Sequence, residues 1–100
     1  MNQDLIERLT AVQDAMCAAM EEADLDLFER LVSEREDDVV ALAARVRDPD
    51  VAAFARHFIM RDRLLEARAT ATRDAVRNEL RLVQRTKAAG RAYLSQGARG

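Results

Sequence analysis

One hundred residues, 34% of them charged and only four aromatic, fit one small domain with a thin core. The mix is rich in Ala, Leu, Arg and Glu, which points to helices rather than to sheets. A single cysteine, Cys17, excludes an internal disulfide, and charges recur too often for any stretch to reach transmembrane length.

The net charge of −2 hides an asymmetry. Residues 1–48 hold 13 Asp/Glu against 5 Lys/Arg, whereas residues 49–100 hold 5 against 11. Acidic helices packing beside a basic one account for this; a basic segment that meets an acidic partner is the sharper reading. Cys17 sits among core-like residues and reads as a small buried hydrophobe in a reducing compartment. The start, Met1-Asn2-Gln3-Asp4, is acidic where a secretory signal would be basic. A cytoplasmic location is therefore expected.

Backbone breakers are scarce. Pro49 is the only proline, and no glycine precedes Gly90. Gly costs about 1 kcal/mol and Pro about 3 kcal/mol inside a helix, so their absence permits long helices.

The spacing predicts a first helix from about 3 to 23. Leu5, Leu9, Val12, Met16, Ala19 and Ala23 repeat every four or three residues, a heptad seam that Ile6 and Met20 widen. The break that follows is placed at Ala23-Asp24-Leu25-Asp26, where Asp24 or Asp26 can cap a helix. The alternative is one continuous helix from 3 to 47, which would force dimerisation to bury its seams.

The second helix is predicted over about 26–47, with Leu25, Phe28, Val32, Val39, Leu42 and Val46 on its seam and Arg35 interrupting it. Asp48-Pro49 then stops it, because proline disfavours helical backbone in the residue before it. The same pair opens the next helix, with Asp48 as N-cap and Pro49 as first residue.

The third helix is predicted over about 49–89, with Val51, Phe54, Phe58, Leu65, Ala69, Thr72, Val76, Leu80 and Val83 tracking one face. Unbroken, it would be about 60 Å long, twice the length of the first two helices, so its second half would lack cover. The weakly apolar stretch 67–72 is where a bend or a short fourth helix would fall. The tail 95–100 is expected to fray. The fold class is thus all-α, an antiparallel three-helix bundle with a long third helix, in a single domain over 1–100.

Candidate chemistry is sparse. His57 is the only histidine and has no helical neighbour to complete a metal or catalytic set. The glycines lie only at 90, 97 and 100, so no phosphate loop exists, and no cofactor is expected. Small all-helical chorismate mutases have a similar length, and Arg8 could start their anion clamp. Leu25 stands where a second arginine is expected, however, and the only lysine, Lys87, comes too late. Arg73, Arg77, Arg81 and Arg85 form a slowly rotating basic stripe that could follow phosphates. The acidic balance of the whole chain and the presence of only one nearby aromatic argue against nucleic acid.

Three segments carry a family resemblance. They are Asp24-Leu25-Asp26-Leu27-Phe28-Glu29-Arg30-Leu31-Val32-Ser33-Glu34-Arg35, the Asp48-Pro49-Asp50 junction, and the run from Leu80-Arg81-Leu82-Val83 to Ala92-Tyr93. In this order they resemble the FliT family of flagellar export chaperones, with FlgN chaperones as near neighbours. The resemblance implies a non-catalytic chaperone that binds the filament-cap protein FliD, keeps its C-terminal helical segment from assembling early, and delivers it to the export gate through FlhA. It also implies contacts with export ATPase components in some members, and restraint of a flagellar transcription activator in others. Little sequence follows Tyr93, so roles of an extended C-terminal helix are not expected.

Tyr93 matches the family tyrosine associated with gate docking, and an aromatic with a polar handle suits an interface anchor. The client is expected as a helix in a groove, with Leu65, Val76, Leu80, Val83, Tyr93 and Leu94 as partner contacts. Phe54 and Phe58 are assigned to the core near Pro49. The competing readings are a mutase-type enzyme and a dimeric coiled-coil adaptor; a homodimer is also one way to hide the third-helix face.

Overall fold

Four helices follow one another among the described residues: α1 (Asn2–Glu21), α2 (Leu25–Glu34), α3 (Glu36–Ala44) and α4 (Pro49–Arg99). The structure is a computed structural model that describes the backbone of residues 2–99 and the side-chain surroundings of residues 2–95. Contacts group the chain into two units, Met1–Thr70 and Ala71–Gly100. The first is a three-layered helical bundle; the second is the continuation of α4.

The bundle is all-α with successive layers antiparallel. Leu5 and Leu9 of α1 meet Leu42 of α3 and Val51, Ala55 and Phe58 of α4 in one core cluster. Met16, Ala19 and Met20 of α1 meet Phe28 of α2 and Leu65 and Ala69 of α4 in the other. α1 and the start of α4 therefore run the same way, and α2–α3 returns between them. Phe28, Leu5, Leu9, Met16 and Val51 are the largest fully buried side chains. Each contributes roughly 1.5–3 kcal/mol of hydrophobic stabilisation.

The expected seam of α1 needs one correction. Gln13, 3% exposed, occupies the buried position, while Val12 is half-buried and Ala23 exposed. Gln13 is accommodated because its Nε2 donates to the Phe58 carbonyl at 3.0 Å. A buried amide is tolerated when it is hydrogen-bonded.

The α1–α2 turn falls where the sequence placed it, so the continuous 3–47 helix is excluded. Its geometry explains how it forms without glycine. Ala23 adopts φ 54, the left-handed region. The Asp24 N–H donates to the Ala19 carbonyl at 2.8 Å, and the Ala23 N–H to the Met20 carbonyl at 3.1 Å. These two bonds are the Schellman pattern, normally built on glycine. Asp24 then caps α2, its carboxylate accepting from the Leu27 N–H at 3.1 Å.

The second predicted helix, 26–47, is two helices. The break is at Arg35 (φ −83, ψ −5), which ends α2 and precedes α3. The chain bends there while the Arg35 side chain turns inward to Asp62. The short extra helix thus comes from the second arm, not from 67–72, where α4 is continuous. α3 ends at Ala44 rather than near Arg47, because residues 45–48 form turns in which the Asp48 N–H donates to the Arg45 carbonyl at 3.1 Å.

The Asp48-Pro49 start signal is realised. The Asp48 carboxylate accepts from the Asp50 N–H at 2.9 Å, and its carbonyl from the Ala52 N–H at 2.9 Å. α4 does not stop at Ala89 but continues through Gly90 to Arg99. An exposed glycine costs about 1 kcal/mol in a helix, too little to end one on its own. The tail expectation for 95–100 concerns residues whose side chains, from 96 on, lie outside the described set, as does Gly100 entirely.

Candidate functional site

Between the two core clusters lies a polar layer. Arg35 donates from Nη1 to Oδ1 of Asp62 and from Nη2 to Oδ2 at 3.1 Å. Its guanidinium also stands 5.4 Å from the Phe58 ring centroid. Arg35 is 8% exposed, and its Nε has no partner among protein atoms. Gln13 bonds to the same α4 segment through the Phe58 carbonyl. The Phe54 and Phe58 rings meet at a tilt with centroids 5.9 Å apart, Phe58 inside the first core cluster and Phe54 packed against it, at the core end near Pro49, as expected.

Two further ion pairs tie α1 to its neighbours. Arg61 donates to Asp14 at 2.7 Å and to the Cys17 sulfur at 3.3 Å. Arg8 donates to Asp38 at 3.1 Å. Each guanidinium is held above its ordinary pKa, chiefly by its hydrogen bond to the carboxylate. Exposed pairs of this kind contribute about 0–1 kcal/mol, so they guide register more than they stabilise.

A groove of about 340 Å³ opens between α3 and α4, with Val39, Leu42 and Phe58 at its floor and Val46 and Ile59 at its rim. The sequence reading missed Val46 and Ile59 as surface residues, along with exposed Val40, Met60 and Leu64. The signal was present for Ile59, Met60 and Leu64: they are large and apolar, yet lie off the seam. The groove's lining contains no serine, cysteine or histidine. His57 is exposed, and no cluster of three or more metal-ligating side chains occurs among the described residues.

The six expected partner contacts divide. Leu65 is 5% exposed and closes the second core cluster with Met16, Met20 and Phe28. It therefore supplies packing, not surface: its heptad position inside the bundle outweighs its place along α4. Val76, Leu80 and Val83 are each about half exposed, with Leu80 at 57%. Their spacing of four and three puts them on one face of the second unit. Tyr93, 77% exposed, and Leu94 are the outermost of the six.

The sequence matches the family described as Flagellar protein FliT over residues 3–95. The chain belongs to the FliT family. Among curated proteins and among solved structures, nothing matches it. The match spans both units and every segment that carried the resemblance. It gives no support to a FlgN neighbourhood. FliT proteins are non-catalytic flagellar export chaperones, so the mutase reading falls away and the chain's general role is to accompany an export client. No helix among the described residues is long and apolar enough to cross a membrane.

Proposed function

We propose that this FliT-family chain holds the filament-cap protein FliD before export and delivers it to the export gate through FlhA. The observation that carries the proposal is the Val76–Leu80–Val83 stripe. It exposes three large apolar side chains on a helix segment that has no buried residue from Asp74 to Ser95. A contiguous exposed apolar stripe marks an interaction surface. An amphipathic client helix pairs with such a stripe through anchors three and four residues apart.

Tyr93, 77% exposed, sits about three turns further along α4 and presents an aromatic with a polar handle, suited to the gate. Contacts with export ATPase components and a cytoplasmic site of action belong to the same proposal. Co-expression with FliD is the test. Stable co-purification supports it, and failure to retain FliD or the hook-associated proteins removes its main support.

A further inference from the structure

The apolar stripe has a basic edge on one side only. Val76, Leu80, Val83, Lys87, Gly90 and Leu94 are spaced 4, 3, 4, 3 and 4, a heptad seam of five intervals. Arg77, Gln84 and Arg91 each follow a seam residue and line one edge; Arg81 stands just outside it. Glu79, Thr86 and Tyr93 line the other. Residues 71–95 hold six Lys/Arg against two Asp/Glu, a balance of +4. Arg77, Arg81 and Arg91 are exposed and make no ion pair among the described residues.

This pattern disfavours a second copy as the occupant. In a parallel pair, Lys87 would face Lys87 across the seam. In an antiparallel pair, the Arg77–Gln84–Arg91 edge would face itself, bringing arginine to arginine. Like charges at these positions act against pairing. A different helix, with acid along the facing edge, satisfies both the seam and the arginines.

We infer that residues 76–94 of α4 select an acidic amphipathic helix of another protein, with Asp or Glu along the edge that meets Arg77 and Arg91. The inference deepens the proposed function and rests on its reading of this stripe as the client surface. The seam from Val76 to Leu94 rises about 27 Å, so the matching helix has about five turns. Lys87, exposed at the seam, donates to a carboxylate of that helix, which fixes the partner's register.

Two designed peptides of about 20 residues test this, sharing one leucine seam and differing only in carrying Glu or Lys at the edge positions. Binding to the full chain is read by fluorescence anisotropy. The Glu peptide is expected to bind at least about tenfold more tightly than the Lys peptide at low salt, with the gap narrowing at about 0.5 M salt. Arg77→Glu/Arg91→Glu is expected to reverse the preference, and Arg77→Gln/Arg91→Gln to abolish it, both with unchanged helicity. Equal binding of the two peptides, no binding of either, or a preference that survives charge reversal overturns the inference. Co-purification of FliD separates the two claims. If FliD binds the wild type and the Arg77→Glu/Arg91→Glu variant equally, only the charge inference falls. If FliD binds neither while the Glu peptide is preferred, the client assignment falls and the charge inference stands.

Discussion

Arg35 and Asp62 form a bidentate ion pair at the point where α2 gives way to α3, and Phe58 lies under the guanidinium. The pair joins the second arm of the bundle to α4 between the two apolar clusters. A largely buried charge is costly unless paired, so the two residues depend on each other. Asp62→Ala should destabilise by roughly 3–5 kcal/mol, because it strands a largely buried guanidinium; Arg35→Ala should cost less, because the Asp62 carboxylate it leaves is 22% exposed. Arg35→Met with Asp62→Leu should recover most of that loss, since a well-packed apolar pair is often neutral. Urea unfolding of the four proteins measures this; single variants within about 1 kcal/mol of wild type would show that the pair is solvated in solution.

The Ala23 turn stores strain that glycine would relieve. A side chain in the left-handed region costs roughly 1–2 kcal/mol, offset in part by the greater unfolded-state entropy of glycine. Ala23→Gly should therefore raise stability by about 0.5–1 kcal/mol, a gain of several degrees in Tm for a domain this small. Ala23→Val should lower it, because a β-branched residue is worse at positive φ. Calorimetry decides, and a Tm that falls with glycine would mean that the turn does not adopt this geometry.

Tyr93 is too exposed to hold the fold together. Tyr93→Ala should leave thermal stability within about 0.5 kcal/mol of wild type and helicity unchanged. Client binding should also persist, while binding to FlhA weakens. A large drop in Tm would assign the tyrosine to packing instead.

How much of this was legible in the sequence follows from which forces act locally. The Asp48-Pro49 start, the Asp24 cap and the buried Leu5, Leu9, Met16 and Phe28 rest on local propensity and periodicity, and each was readable. The break at Arg35 was not. It has no Gly or Pro to announce it, and the arginine that interrupts the seam is explained only by Asp62, 27 residues away. Gln13 hides in the same way, because its partner is a backbone carbonyl 45 residues on. Leu65 was assigned to the surface because α4 was expected to outrun its cover. The heptad count places Leu65 in register with Phe58 and Ala69, inside the core. For the Val76–Leu80–Val83 stripe the sequence gives the face, but chemistry alone names no client.

The central claim is that this stripe is the client surface, and one measurement tests it most directly. Isothermal titration of the FliD C-terminal segment is compared between wild type and Leu80→Ser/Val83→Ser, with thermal unfolding measured alongside. Both side chains are half exposed or more, so the unfolding midpoint should hardly move. Binding should weaken by about 100-fold or more, as expected when two interface anchors are removed. Undiminished affinity in a folded double variant would contradict the account and place the client elsewhere.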